Sequence, residues 1–172
     1  RIHIHKVFKG IAQRGKCSMG WFFGFKLHLI CNEKGELLNF MITPGDIDDR
    51  KPLEYKAFID FIYGKLFGDK GYISKNLFQR LFVDGIQLIT KLKSNMKGAL
   101  MSVSDRLLLR KRAIIETVND ELKNIAQVEH SRHRCFDNFI VNLLGAIAAY
   151  CLFPKKPCIN VQRTIDTQLA LF

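Results

Sequence analysis

No Asp or Glu occurs before Glu33, so the chain opens on a stretch whose only formal charges are Lys and Arg. The deficit persists along its length: 16 acidic residues against 27 Lys and Arg leave a net charge of +11 and a pI near 9.6. Such an excess argues for a polyanionic partner, most commonly a phosphate backbone. Also missing is any C-x-x-C pair. The five cysteines, Cys17, Cys31, Cys135, Cys151 and Cys158, are odd in number and widely spaced, which excludes a disulfide framework and a zinc ribbon. They read as reduced thiols, so a cytoplasmic setting is expected. The longest apolar stretch, residues 136–153, holds Asp137, Asn138 and Asn142 and barely reaches the roughly 17 to 20 residues of a membrane span. A buried helix closing one face of a sheet explains it better, and no membrane partner is expected. Arg1, Lys6 and Lys9 interrupt any signal-peptide core. There is neither an internal repeat nor a low-complexity segment.

With 172 residues the chain can bury one sizeable core but is short for two ordinary domains. Its mean hydropathy of zero suits a globular class. Residues 21 to 31 alternate, with Phe23, Phe25, Leu27, Leu29 and Cys31 on one side and Lys26 and His28 on the other, which predicts a strand. Asn32-Glu33-Lys34-Gly35 reads as a turn, and Leu37 to Thr43 returns as the second arm of a hairpin. Asp48 or Asp49 is placed to cap a helix running to about Tyr63, with Leu53, Ala57, Phe58, Phe61 and Ile62 as its buried stripe. Lys65 to Gly68 reads as a short strand that ends on Asp69. Ser74 caps a brief helix through Phe82, and Asp84-Gly85 turns into a strand from Ile86 to Leu92. A polar loop over residues 93–104 precedes a long helix from Arg106 to Ala126, and residues 136–153 form the last helix. A hairpin followed by helix-linked strands is the α/β layering of a mixed sheet flanked by helices.

The candidate site grows out of that long helix. At about 100° per residue, Arg112, Glu116 and Lys123 fall within roughly 40° of one line. Taken alone, this could be a solvated flank with an Arg112–Glu116 pair. Asp69 changes the weighing, because a carboxylate exposed where a strand stops could join Glu116 in holding a metal while the cations grip phosphate. Asp46, Asp48 and Asp49 read instead as helix-capping acids. His130-Ser131-Arg132-His133-Arg134-Cys135 lacks a partner pair at metal-ligand spacing and reads as a basic turn against phosphate through Arg132 and Arg134. Trp21 reads as core or sheet-edge packing, with stacking on a base as the alternative.

Arg112, three residues, Glu116, six residues and Lys123 resemble the end of the signature of DDE-type bacterial insertion-sequence transposases. Where that signature usually has a Tyr three residues before the Arg, this chain has Leu109. Gly68-Asp69-Lys70-Gly71-Tyr72 resembles the family's second-carboxylate motif. Phe25-Lys26-Leu27-His28-Leu29 and Thr43-Pro44-Gly45 look like its hairpin landmarks. The resemblance covers roughly residues 3–153 as a partial catalytic domain and leaves 154–172 as a C-terminal tail.

The resemblance implies an RNase H-like sheet. It also implies DNA transposition by metal-dependent strand cleavage and strand transfer at element ends, catalysed by Asp69, Glu116 and a further Asp on a first strand. Arg1 to Gly20 holds no Asp, and the chain does not open on Met. The expectation is therefore an N-terminally truncated, inactive fragment whose first strand is missing. Two Mg2+ ions, with Mn2+ as a substitute, are implied between the carboxylates, roughly 3.5 to 4 Å apart. Asp69 and Glu116 would be the metal ligands, and Arg112, Lys123, Arg132 and Arg134 the DNA-binding residues. Double-stranded DNA is the implied partner, homo-oligomers are implied for the complete protein, and the setting would be the bacterial nucleoid. A non-catalytic nucleic-acid-binding remnant and an RNase H-like nuclease are the alternatives.

Overall fold

The computed structural model of the chain describes residues 6–17, 19–91, 101–128, 133–159 and 169–171, the last three as backbone. They fall into two compact units, one drawn from Arg1–His28, Met41–Asp48 and Asn119–Lys155, the other from Leu29–Phe40, Asp49–Val118 and Lys156–Phe172. Strands β2 (Gly20–Asn32) and β3 (Leu37–Pro44) and helix α4 (Ile114–Asn124) each pass from one unit into the other. The molecule is of the mixed α/β class.

In the second unit the organising strand is β4 (Gly64–Gly68), parallel to β5 (Ile86–Thr90) with Leu66 opposite Leu88 and Phe67 opposite Ile89. Neighbouring strand residues point to opposite faces, yet Leu66 and Phe67 are both fully buried, so β4 is covered on both sides as parallel strands require. Helix α2 (Lys75–Val83) links β4 to β5. Ser74 starts it by accepting the Leu77 N–H on Oγ at 3.5 Å, and Leu77 and Leu81, one turn apart, are its buried face against β5. A short strand from the far end of the sequence, β6 (Leu169–Leu171), runs parallel to β4 and antiparallel to the end of β2, so that it lies between them. Phe67 is level with Leu171 on one side, and Cys31 with Leu171 on the other.

The hairpin expected at 21–31 and 37–43 is present as β2 and β3. Its turn closes because the Asn32 side-chain oxygen accepts the N–H groups of Lys34 and Glu36 at 2.9 and 3.0 Å, and Gly35 takes the left-handed φ of +70°. Burial does not follow the alternation expected along β2, since Phe22 to Leu27 are all half-buried before full burial begins at His28. From there to Asn32 every residue is buried, and His28 is satisfied by a 2.8 Å hydrogen bond with Thr43 Oγ1. Burial pushes the Cys31 thiol from its ordinary value of 9.0 up to about 12. Its folded form thus stays protonated where an unfolded thiol ionises. Any stability this contributes is intact below pH 9 and is lost as pH rises from there toward 12. At pH 8 a thiol-alkylating reagent is expected to label the exposed Cys17, Cys135, Cys151 and Cys158 well before Cys31. Peptide mapping showing Cys31 labelled as fast as the others would contradict its burial.

Three elements depart from the sequence reading. The helix expected from Asp48 or Asp49 to Tyr63 is instead a 3-10 turn, Lys51–Glu54, and a single α turn, α1 (Lys56–Ile59). Tyr55 is extended between them, Arg50 rather than an Asp occupies the first cap position, and Phe61 takes a left-handed φ of 63°. Pro52 within the first turn tolerates this tight geometry but removes a donor from a longer helix. Second, the long helix expected over 106–126 is broken into α3 (Val103–Lys111) and α4, with Arg112 and Ala113 between. The buried residues give the reason. Asp105 and Leu109 are four apart, as are Ile114, Val118 and Leu122, but the two series are out of phase by one residue. An unbroken helix would turn one of them away from the core, so the chain re-phases in a tight turn where Glu116 N–H reaches Ala113 O at 3.0 Å. Third, residues 13–17 form a strand, β1 (Gln13–Cys17), that no periodicity announces.

The first unit holds β1 paired antiparallel with Gly20–Gly24 of β2. Helix α5 (Phe136–Cys151) buries Leu143, Ala146, Ile147 and Tyr150, a stripe at helical spacing. Phe8, Phe25, Phe136, Phe139 and His133 form an aromatic cluster, with Phe25 stacked on Phe139 at 5.3 Å. No helix among the described residues is long and apolar enough to cross a membrane.

Candidate functional site

Asp69 is the first residue beyond β4 and caps the one-turn 3-10 helix Lys70–Tyr72, its Oδ1 accepting the Lys70 N–H at 2.7 Å. Gly68 before it is buried, and a Cβ there would lie in van der Waals contact with the Tyr72 ring at 3.4 Å and with Leu88 and Thr90 behind. The strand therefore ends on a glycine packed into the core and presents the next side chain outward. The Asp69 side chain keeps 52% of its surface exposed.

Across from it stands Arg112, whose guanidinium nitrogen donates to the same Oδ1 at 3.2 Å, with the Arg side chain only 20% exposed. The helix break is what delivers this contact. Arg112 closes α3 in the interval before α4, and Glu116 follows in the first turn of α4, exposed to solvent. A second tie fixes α3 to β4: Lys65 Nζ donates to Asp105 Oδ1 at 2.7 Å. Asp105 also receives the N-terminal cap of α3, its N–H reaching Ser102 Oγ at 3.1 Å. Nothing in a linear reading pairs Lys65 with a residue forty positions on, and only the positions of β4 and α3 reveal it.

Of the residues singled out in the sequence, the structure joins Asp69 and Arg112 directly and sets Glu116 one turn beyond. The basic pair reads differently from expectation in one respect, since Arg112 engages a carboxylate here. Lys123 and Arg134 are exposed and belong to the other unit. Arg132 lies outside the described residues, as do His130, Ser131 and most of the 93–104 loop. His133 packs edge-on against Phe139 at 5.2 Å. Trp21 is 63% exposed, which overturns its reading as a core residue. Among the described residues no three His, Cys, Asp or Glu side chains gather as a metal-ligand cluster.

Residues 1–136 match a family model described as Transposase DDE domain. No curated protein and no solved structure matches the chain.

Proposed function

Because the chain belongs to the transposase DDE domain family, which makes its function one of transposition and its substrate DNA, we propose that Asp69 and Glu116 are the carboxylates of a strand-cleavage and strand-transfer site. The observation that carries this reading is the Arg112–Asp69 contact at 3.2 Å, which ties the end of β4 to the start of the helix bearing Glu116. An RNase H-like arrangement is supported by the β2–β3 hairpin and the parallel β4–β5 pair.

DDE transposase domains generally use divalent metals. The residues present fit a Mg2+ ion as hard oxygen donors: Mg2+ is commonly held by one or two carboxylates, with water and substrate phosphate completing its shell. Both described partners of the Asp69 carboxylate engage Oδ1, so Oδ2 is the oxygen available for this role. Bound there, the ion would supply Lewis-acid stabilisation of charge on the reacting phosphate. The protein's own residues do the rest. The Lys70 N–H and Arg112 hold Asp69 in one orientation. Arg112 carries five donors in a fixed fork, so it can keep its bond to Asp69 and still offer N–H groups to a phosphate oxygen. Lys123 and Arg134 are proposed as phosphate contacts that position duplex DNA without reading its sequence.

The reading is tested on the chain as it stands by following backbone amide resonances during addition of Mn2+. Substoichiometric Mn2+ is expected to broaden Lys70 and Gly71 together with Glu116 and Thr117, and Asp69→Asn is expected to remove both effects. Broadening that ignores these residues, or that persists unchanged in Asp69→Asn and in Glu116→Gln, would reject the assignment.

A further inference from the structure

The β1–β2 ribbon carries chemistry that the carboxylate site does not use. Cross-strand partners share a face, as do residues two apart on one strand. Lys16 is the partner of Trp21 and Arg14 the partner of Phe23, so these four side chains lie on one face of the ribbon. The opposite face is closed. Gly15, the partner of Phe22, is buried, and a Cβ on it would run into the Gly45 carbonyl and approach the Phe22 ring at 2.7 Å. Farther along β2 the Arg14 face is covered, with Phe25 stacked on Phe139, but at Arg14, Lys16 and Trp21 it is open to solvent. Arg14 and Lys16 are exposed, and Trp21 keeps 63% of its surface accessible.

An indole left in water is costly unless it has a use, because a ring of this size gains more than most side chains from burial. Its one described companion is Lys16, whose ammonium sits 5.9 Å from the ring centroid. Among the described residues neither Arg14 nor Lys16 takes part in an ion pair. The sequence from Arg1 to Asn32 holds no acid, so the ribbon is uniformly cationic. A flat π surface flanked by two cations is complementary to a nucleotide, whose base stacks and whose phosphate is anionic. A base paired and stacked inside a duplex offers no open face, so the complementarity is to an unpaired one.

We infer that the Arg14–Lys16–Trp21 face of the ribbon is a binding site for single-stranded or unpaired DNA, in which Trp21 stacks on a base and Arg14 and Lys16 hold the adjoining phosphates. Lys16 covers the indole in the free protein and moves to a phosphate when a base takes its place. This rests on the reading that the chain acts on DNA, but it is independent of the carboxylates.

Trp21 is the one Trp of the chain, so its emission reports on this face alone. The full chain is titrated with a fluorescein-labelled oligo(dT) and with a blunt-ended two-strand duplex, following indole emission and label anisotropy together. Oligo(dT) is expected to quench the indole with the same midpoint as the anisotropy change, and the duplex to quench it far less. Trp21→Ala is expected to weaken oligo(dT) binding about 5- to 150-fold, the range that base–aromatic stacking supplies, whereas Trp21→Phe retains most of the affinity. Arg14→Gln and Lys16→Gln are each expected to lower the salt slope by about 1. DNA binding that leaves indole emission unchanged overturns the ribbon site, as does equal quenching by the duplex. Either result leaves the Mn2+ response at Asp69 and Glu116 untouched, so the two readings fail separately.

Discussion

In a cleavage-competent form of the protein, Asp69→Asn is expected to slow DNA strand cleavage by about 1,000-fold or more. Metal-assisted stabilisation of a phosphoryl-transfer transition state is worth several kcal/mol, and each 1.36 kcal/mol is a factor of ten in rate. Asn matches Asp in shape and removes only the charge. Its side-chain oxygen can still accept the Lys70 N–H, so the cap on the turn after β4 survives. What goes is the ion pair with Arg112, and since the Asp69 side chain is half exposed that pair contributes about 1 kcal/mol at most. Folding and DNA affinity should therefore stay close to the parental values while cleavage collapses. Single-turnover cleavage with thermal melting run alongside decides the matter: a parental rate removes Asp69 from the chemistry, and a large drop in melting temperature would reassign it to the fold.

Phe67→Ala should cost about 3 to 5 kcal/mol of stability. The ring is fully buried, next to an equally buried Leu66 on the other face of β4. Removing it opens a cavity beside a strand hydrogen-bonded on both edges, where backbone cannot close in without breaking ladders to β5 and β6. Against a typical total of about 5 to 15 kcal/mol, such a loss leaves little margin. Phe61→Ala and Phe82→Ala serve as comparisons, because those rings are 87% and 65% exposed and should cost roughly 0.5 kcal/mol or less. Urea midpoints for the three variants test the contrast. Equal midpoints would mean that β4 is not the centre of its unit's core.

Much of this architecture could be read from residue order. Alternation placed β2, turn chemistry placed the Asn32–Gly35 reversal, and Ser74 announced α2. The glycine before Asp69 and the apolar run ahead of it located a strand end. What escaped has physical reasons. β1 reads Gln13-Arg14-Gly15-Lys16-Cys17, and four of its five residues are exposed, so no hydrophobic period could mark it. Its pairing comes from β2, which is information held elsewhere in the chain. The break at Arg112 was hidden because each half of the helix is periodic by itself, and only the one-residue slip between Leu109 and Ile114 betrays it. That slip matters more for the site than any motif, for it sets Arg112 where it can reach Asp69. The Lys65–Asp105 bond depends on two elements meeting, and local patterns are blind to that.

The place of β6 bears on how the chain is made. Polypeptides emerge N-terminus first, and of the residues described here Leu169–Leu171 emerge last. Until they do, the paired edges of β2 and β4 wait open, and Cys31 and Phe67 lack the neighbour that joins them. Closing the loop between β2 and β6 thus waits until those residues are made, and loop entropy makes it slow. A nascent or prematurely ended chain stopping short of residue 169 would present two unpaired strand edges lined by buried-type residues, the condition under which copies pair with one another instead of with themselves.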